Sequence, residues 1–258
     1  MKRYALQCAY DGSKFYGWQI QKQSPTVQEV LETALCSIAK EKIKVVGSGR
    51  TDAGVHALAQ VAHFDFPLTM TPQTIKLAMQ SKLPPSLQVQ NLIEVESSFH
   101  ARFDALARSY RYIITLQPNP FNLSFKASFA RTRIECEKMV ACIPFLMGKQ
   151  DFTSFAKPNP EITNHICEIY DLSIKQVQDD IILEITANRF LHHMVRRIVG
   201  ALIAVSHKSL EPQIIQQWLS KKKHEQANYI TAYPNGLYLF RVMYPKELFT
   251  PETGNGNH

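Results

Sequence analysis

The spacing of apolar residues in the first hundred positions predicts strands and helices in a regular order. Apolar and polar residues alternate where strands are expected, and apolar residues recur every three or four positions where helices are expected. The capping box Thr26-x-x-Glu29 indicates the start of one helix, and Thr71-Pro72 indicates the start of another. The predicted strands are Tyr4 to Tyr10, about 43–48, about 58–66, and Leu87 to Val95. This β-α-β-β-α-β order is the ferredoxin-like arrangement.

The second half of the chain repeats this order. Its predicted elements are a strand from Leu106 to Leu116, a helix from Glu135 to Met147, a hairpin of His165 to Lys175 and Ile181 to Ala187, helices from Phe190 to Val205 and from Pro212 to Leu219, and a closing strand from Leu237 to Tyr244. The sequence therefore predicts an α+β protein with two tandem ferredoxin-like (βαββαβ) halves that share an extended antiparallel sheet, with a cleft between them. We place the halves at residues 1–104 and 105–245, and a flexible tail at 246–258.

Composition narrows the class of protein and of partner. Of the 258 residues, 45% are hydrophobic and 20% are charged, as in ordinary soluble globular proteins, and the net charge is +7. A positive net charge suits an anionic partner such as nucleic acid, although many basic proteins bind none.

Cysteine usage and hydropathy indicate the compartment. The five cysteines are odd in number and lack C-x-x-C spacing, so we expect free thiols in a reducing compartment and no zinc site. The longest strongly apolar run, Ile198 to Val205, has eight residues, whereas a membrane helix needs roughly 20. Asp11 and Lys14 lie where a secretion signal needs apolar residues. We therefore expect a cytoplasmic protein without a membrane segment.

A glycine-rich loop between two predicted strands contains the first candidate for chemistry. It runs from Gly47 to His56 and carries Asp52, with Arg50 two residues away. An aspartate in such a loop most often caps a turn. Alternatively, pairing with Arg50 would hold Asp52 ionised, as a nucleophile or base requires. The loop lacks the lysine of a phosphate-binding P-loop, which argues against nucleotide hydrolysis.

Two further clusters combine basic and aromatic or imidazole side chains. Arg108, Tyr110 and Tyr112 would project from one face of a strand, where they would either bind a base and its phosphates or form an ordinary sheet surface. On the predicted helix from Phe190, a polar stripe contains Arg189, His192, His193, Arg196 and Gly200. Adjacent histidines on a helix do not share a face, which argues against a metal site. A helical glycine at 200 predicts close packing of another backbone.

Several motifs together resemble the TruA family of tRNA pseudouridine synthases. They occur in family order over nearly the whole chain, and the run at 49–56 is the most specific of them. The motifs are Tyr10-Asp-Gly, Gly17-Trp-Gln, Gly49-Arg-Thr-Asp-Ala-Gly-Val-His56, Phe99-His-Ala-Arg102, Tyr110-Arg-Tyr112, Asp151-Phe152 with Phe155, Phe190-Leu, Met194-Val-Arg196, and Gly236-Leu-Tyr-Leu239.

The resemblance implies an activity and a set of site residues. It implies isomerisation of uridine to pseudouridine in the anticodon stem-loop of tRNA, at positions 38, 39 and 40, by a homodimer without cofactor or metal. Asp52 resembles the family's nucleophile, Tyr110 the tyrosine that stacks on the uracil, and Arg196 the basic partner of the aspartate. Leu237 resembles an apolar wall of the pocket, and Arg50 the arginine that helps displace the target base.

Two positions depart from the family pattern. Gln150 replaces a common histidine, and Ala232-Tyr-Pro-Asn235 replaces a common Ala-Pro ahead of the closing strand.

Two other functions compete with the one that the resemblance implies. The first is that of a non-catalytic RNA-binding protein, because ferredoxin-like sheets with surface aromatics often bind RNA. The second is a hydrolase with an aspartate nucleophile, which would usually need metal ligands that the sequence does not cluster.

Overall fold

The structure is a computed structural model that describes residues 1–22, 24–129, 132–221 and 229–249. The predicted flexible tail at 246–258 lies outside the described residues from position 250 onward, so it stays a prediction. Among the helices described, none is long and apolar enough to cross a membrane.

Within the described residues, nine strands form one continuous sheet. They are β1 (Lys2–Tyr10), β2 (Val46–Gly47), β3 (His56–Phe66), β4 (Leu87–Val95), β5 (Ala107–Thr115), β6 (Gly148–Asp151), β7 (Ile166–Val177), β8 (Asp180–Ala187) and β9 (Leu237–Met243). Their order across the sheet is β4-β1-β3-β9-β5-β8-β7-β6, and β2 pairs with β3. The predicted α+β class is confirmed. The boundary between residues 104 and 105, and a cleft between two halves, stay predictions.

One strand pair differs from the predicted antiparallel sheet. The β3–β9 pair is parallel, with His56 opposite Tyr238 and Ala57 opposite Leu239. Every other pair recorded between named strands is antiparallel. The prediction of an antiparallel sheet is therefore wrong at this joint, because the closing strand adds beside β3 in the same direction.

The helices begin where their capping residues predict. The helix α1 (Val27–Ala39) has Thr26 as N-cap, and the Thr26 hydroxyl accepts from the Glu29 N–H. The helix α2 (Pro72–Gln80) has Thr71 as N-cap and a proline in its first turn. Both caps satisfy an amide that the helix itself leaves unpaired, which explains why these two starts are legible in the sequence.

One predicted helix and one predicted strand are wrong in extent. The expected helix from Glu135 to Met147 is α3 (Cys136–Val140) followed by a separate 3-10 turn at Ile143–Phe145. Pro144 lacks the N–H that would bond the Val140 carbonyl, so the helix cannot continue through it. The short strand β6 then follows, which the sequence did not indicate. The predicted strand at 43–48 is reduced to β2, two residues long.

The helix predicted from Phe190 begins four residues later. The helix α4 (Met194–His207) has His193 as its N-cap, with a left-handed backbone at φ 64°. A left-handed residue interrupts a right-handed helix, so the predicted polar stripe is not one helical face. The helix α5 (Ile214–Ser220) follows, close to the prediction.

Two hydrophobic clusters fill the interior on either side of the β3–β9 joint. One contains side chains from β1, α1, β3, α2 and β4, together with Leu239 of β9. The other contains side chains from β5, β7, β8, α4 and α5, together with Val55, which directly precedes β3. Each cluster therefore receives a residue from the opposite side of the joint, which fixes the two parts of the sheet against each other.

The glycine within α4 lies against another backbone, as predicted. A Cβ built on Gly200 would lie 1.8 Å from the Ile230 carbonyl oxygen. No side-chain rearrangement relieves a contact with backbone, so α4 or the segment at 229–232 would have to move.

We expect Gly200→Ala to lower the free energy of unfolding by about 2 kcal/mol or more, as overpacked cores do, despite the gain of about 1 kcal/mol in helix propensity. Urea unfolding followed by circular dichroism measures this. The control is Gly49→Ala, because a Cβ at Gly49 meets nothing within 4 Å and the backbone there is not left-handed. Equal midpoints for the two variants would contradict the packing argument.

Candidate functional site

The loop that carries Asp52 is anchored at its start to β3. The Ser48 N–H donates to the Val61 carbonyl at 2.7 Å, and the Ser48 hydroxyl donates to Gln60 Oε1 at 2.7 Å. The Gln60 amide in turn donates to the Gly49 carbonyl at 3.0 Å. The first turn of the loop therefore has defined partners on an adjacent strand.

The residue before Asp52 is fixed from two directions. The hydroxyls of Thr51 and Tyr10 are hydrogen bonded at 2.8 Å, and the Trp18 N–H donates to the Thr51 carbonyl at 3.1 Å. Gly17 has φ +88°, and a Cβ there would lie 2.6 Å from the Thr51 carbonyl oxygen. The segment from Tyr10 to Trp18 thus packs against the loop, and Gly17 permits this close approach.

The glycines of the loop do not all leave room for a ligand. A Cβ at Gly47 would lie 2.5 Å from the Trp18 ring, so this glycine serves packing. Gly54 has φ +79°, which favours glycine for backbone reasons, and a Cβ there would also approach Pro234. Gly49 alone of these three has open space where a Cβ would lie.

Three side chains lie next to the Asp52 carboxylate, all from a segment 140 or more positions later in the chain. Arg196 Nη1 lies 3.0 Å from Oδ2, His192 Nε2 lies 3.2 Å from Oδ1, and His193 Nε2 lies 3.3 Å from Oδ2. The Asp52 side chain is 22% exposed. Asp52 is therefore a partly buried carboxylate that is hydrogen bonded and still accessible from one side.

The neighbours of Asp52 outweigh the effect of its burial. Burial alone raises the pKa of the Asp52 carboxyl. Four effects lower it, which are the hydrogen bond from His192, the charge of His193, the charge of His192 and the hydrogen bond from Arg196. The result is a pKa below the ordinary aspartate value. Burial in turn lowers the pKa of His193 to about 4, against the opposing effect of Asp52. His193 is consequently neutral near pH 7, and Arg196 is the permanent positive charge next to the carboxylate.

The turn into α4 places these three side chains next to Asp52. The left-handed backbone of His193 reverses the chain just before the helix. The Lys157 N–H donates to the His192 carbonyl at 2.9 Å, which holds the residue before His193 in place. Arg196 Nε donates to the Ala232 carbonyl at 2.7 Å, and the Ala232 N–H donates to the Arg196 carbonyl at 3.0 Å. The Arg196 side chain is therefore oriented before any substrate arrives.

The sequence analysis placed His192 and His193 on the same polar stripe as Arg196 but did not name them as site residues. The signal that would have found them is their position directly before Met194-Val-Arg196, the run that supplies the basic partner. The predicted pairing of Arg50 with Asp52 is also wrong. Arg50 is exposed and forms no ion pair with Asp52 among the described residues.

Tyr110 lies on β5 next to this carboxylate. Burial, and then the charge of Asp52, raise the pKa of Tyr110 to about 12, so its hydroxyl stays protonated at neutral pH. Its ring meets Phe190 edge to face at 5.1 Å. Tyr110 packs against both hydrophobic clusters while it remains partly exposed. Its position is consistent with a ring platform beside Asp52.

Tyr112 and Leu237 are core residues next to the site. The Tyr112 hydroxyl donates to the Tyr233 carbonyl at 2.8 Å and its ring is fully buried, so Tyr112 does not share the environment of Tyr110. Leu237 begins β9 opposite Tyr112 and is 5% exposed. The structure therefore brings Asp52, Arg196 and Tyr110 together, places Leu237 in the adjoining core, and leaves Arg50 exposed.

Asp52, His192 and His193 also form a group with metal-ligand chemistry, with their ligand atoms within 4.8 Å of one another. A divalent cation there would face the Arg196 guanidinium, 3.0 Å from the same carboxylate, and the charge of Lys157, which acts on His193. Both would oppose a dication. The arrangement favours hydrogen bonding to an ionised carboxylate over metal binding.

The two departures from the family pattern have structural partners. The Gln150 amide donates to the Phe145 and Met147 carbonyls at 3.0 and 2.8 Å, which closes the turn before β6. The Asn235 amide donates to the Leu123 and Lys126 carbonyls at 2.7 and 3.0 Å. Both side chains stabilise loops and neither contacts Asp52 among the described residues.

Comparisons with known proteins agree with one another. A family model described as tRNA pseudouridine synthase matches residues 7–104 and 143–245. The chain is 40% identical over 255 residues to a tRNA pseudouridine synthase A of Idiomarina loihiensis, covering 98% of this chain and 97% of that protein. It is 39% identical over 240 residues to a tRNA pseudouridine synthase A of Bacillus pumilus, covering 92% of this chain and 96% of that protein.

Among solved structures, the chain is similar to one in a Cbf5-Nop10-Gar1 complex, with a TM-score of 0.40 and 11% identity, over 92% of this chain and 48% of that chain. This likeness is too distant to carry an argument.

We expect Arg196→Gln to raise the pKa of the Asp52 carboxyl, because burial then acts against fewer opposing charges. The carboxylate would protonate at a higher pH than in the unaltered chain. Carboxyl ¹³C shifts followed during a pH titration measure this. Arg50→Gln is the matched control and should leave the Asp52 pKa unchanged, since Arg50 forms no ion pair with it. An identical titration in the Arg196 variant would refute the assignment of Arg196.

Proposed function

The chain belongs to the tRNA pseudouridine synthase family, and from this premise we propose that Asp52 is the group with which it starts the reaction on a uridine of the anticodon stem-loop. Membership makes the protein an isomerase that converts uridine to pseudouridine in tRNA. It also decides against a plain RNA-binding module and against a hydrolase. The loop at 47–56 thus belongs to an enzyme, and the remaining question is what each residue does.

The observation that carries this proposal is the environment of Asp52. Isomerisation breaks the bond from uracil N1 to ribose C1′, rotates the base, and forms a bond from C5 to C1′; C5 loses its proton and N1 gains one, so the product is an isomer of the substrate. Attack of a carboxylate on uracil C6 or on the ribose, and removal of a ribose proton, all require the ionised form. The lowered pKa of Asp52 keeps that form fully populated at neutral pH.

The surrounding residues support the remaining roles. A uridine stacked in RNA has to leave the stack before a carboxylate can reach it. The Tyr110 ring offers a face for the displaced uracil, and its protonated hydroxyl offers a proton donor near the carboxylate. Leu237 adds an apolar wall next to the site. Arg50 is exposed and therefore available to enter the space that the base leaves.

We assign the assembly and the compartment on separate grounds. The family resemblance supports a homodimer, which light scattering in solution would test. The five cysteines are all free, which supports a reducing compartment such as the cytoplasm.

We expect Asp52→Asn to lower the rate of pseudouridine formation by about 10⁴-fold or more, as the loss of a catalytic nucleophile does, while tRNA still binds. Position-resolved mapping of pseudouridine on unmodified tRNA, with a filter-binding measurement in parallel, tests both parts. The control is Asp179→Asn, an exposed aspartate in the turn between β7 and β8, which should retain full activity. Undiminished turnover by Asp52→Asn would remove Asp52 from the mechanism, and modification outside the anticodon arm would overturn the proposed substrate site.

We expect Tyr110→Phe to keep stacking but to lower turnover by about 10²-fold, the low end of the range for a lost general acid or base. Single-turnover kinetics with saturating enzyme separates this effect from tRNA affinity. Tyr170→Phe is the matched control, because Tyr170 is half-exposed on β7. If Tyr110→Phe reacts at the unaltered rate while Tyr110→Ala does not, the hydroxyl has no role and the ring acts by stacking alone.

A further inference from the structure

The side chain of Arg108 connects separate segments of backbone beside Asp52. Arg108 is the second residue of β5 and is partly buried. Its Nη1 donates to the carbonyls of Ala105 and Asn188 at 3.0 and 3.2 Å, and its Nη2 donates to those of Ser48 and Arg102 at 2.9 and 2.6 Å. Each Nη atom carries two hydrogens, so all four have a carbonyl partner.

Two of these carbonyls belong to the segments that form the site. Ser48 lies four residues before Asp52, and Asn188 lies four residues before His192. The first segment belongs to the loop ahead of β3, whereas the second follows β8. The Arg108 guanidinium therefore joins the segment of the carboxylate directly to the segment of its donors.

Both of these carbonyls are themselves held in place. The Ser48 N–H and hydroxyl bond to β3, as described above. The Asn188 N–H donates to the Glu168 carbonyl at 3.1 Å, and Asn188 Oδ1 accepts from the Glu168 N–H at 3.0 Å. Arg108 thus spans two fixed points, and its planar guanidinium defines the distance between them.

We propose that Arg108 is a positioning residue that sets the distance from Asp52 to His192 and His193, and that it does not bind the phosphates of the RNA. A guanidinium with four carbonyl partners would have to give up some of them to bind a phosphate. Of the two alternatives that the sequence left open for the cluster of Arg108, Tyr110 and Tyr112, the proposal excludes a phosphate contact for Arg108. Its kinetic part rests on the proposed function, whereas its structural part does not.

The test is Arg108→Gln, read out in two independent ways. A displacement of about 1 Å in a catalytic group costs about 10²-fold in rate, so kcat should fall by about that factor while KM for tRNA changes less than about twofold. Without tRNA, the ¹³C titration of the Asp52 carboxyl should show a raised pKa, because looser contacts with His192 and His193 leave burial less opposed.

The matched control is Arg111→Gln on the same strand. Arg111 is also partly buried and pairs with Glu184 through Nε and Nη2 at 2.8 and 2.7 Å, so its loss should lower Tm as a structural change does. It should leave kcat and the Asp52 pKa unchanged. Arg108→Lys keeps the charge but cannot span the four carbonyls, and it should show the same loss of kcat with the same rise in the Asp52 pKa. It provides the test if the glutamine variant does not fold.

Three outcomes would overturn the proposal. A rise in KM at constant kcat, with a reduced salt dependence of tRNA binding, would make Arg108 a phosphate contact. An unchanged Asp52 pKa, or equal effects at Arg108 and Arg111, would make its role merely structural. A further outcome would separate this proposal from the proposed function. If the unaltered chain formed no pseudouridine, but the pKa of the Asp52 carboxyl still rose in the Arg108 variants, the proposed function would fail and the positioning role would stand.

Discussion

The ion pair between Asp52 and Arg196 is the interaction on which the rest of the site depends. It spans 144 positions of sequence and is 3.0 Å long. A carboxylate as enclosed as Asp52 would protonate more readily than in water if no opposing charge were nearby. Arg196 supplies that charge at every pH the protein meets, and the Ala232 carbonyl fixes its side chain. The fold can therefore be understood as the means of bringing these two residues together.

The parallel β3–β9 pair explains how the fold brings them together. Parallel neighbours start at the same edge of a sheet, so the segments that precede β3 and β9 lie side by side. The first of these segments carries Asp52. The second contains Ala232, which holds Arg196, and Pro234, which lies against Gly54. An antiparallel joint, as the sequence led us to expect, would have placed the two segments at opposite ends of the strands.

Sequence patterns were sufficient where local chemistry decides structure and insufficient where the chain reverses. Thr26 and Thr71 predict where α1 and α2 begin, because a capping hydroxyl accepts a hydrogen bond from an amide two or three residues away. Gly200 predicts a backbone contact, because a side chain at this position of α4 would collide with the Ile230 carbonyl. The start of α4 was misplaced because the backbone is left-handed at His193, and residues 190–193 contain no glycine, which is the usual sequence signal for such a turn. The sequence analysis named Asp52, Tyr110 and Arg196 as site residues, whereas it noted the two histidines only as part of the polar stripe that contains Arg196.

Exposure shows which side of the carboxylate is open to solvent. The Arg196 side chain is 14% exposed, that of His193 is 22% exposed, and that of His192 is 42% exposed. The Arg196 side of Asp52 is therefore closed by protein, whereas the His192 side faces solvent. The two oxygens of a carboxylate offer about four acceptor positions, so these three neighbours do not occupy all of them. His192 is the most exposed of the three, so the side of Asp52 next to it is the side that solvent reaches. Arg196 is the least exposed, so the positive charge that keeps the free carboxylate ionised lies on the closed side.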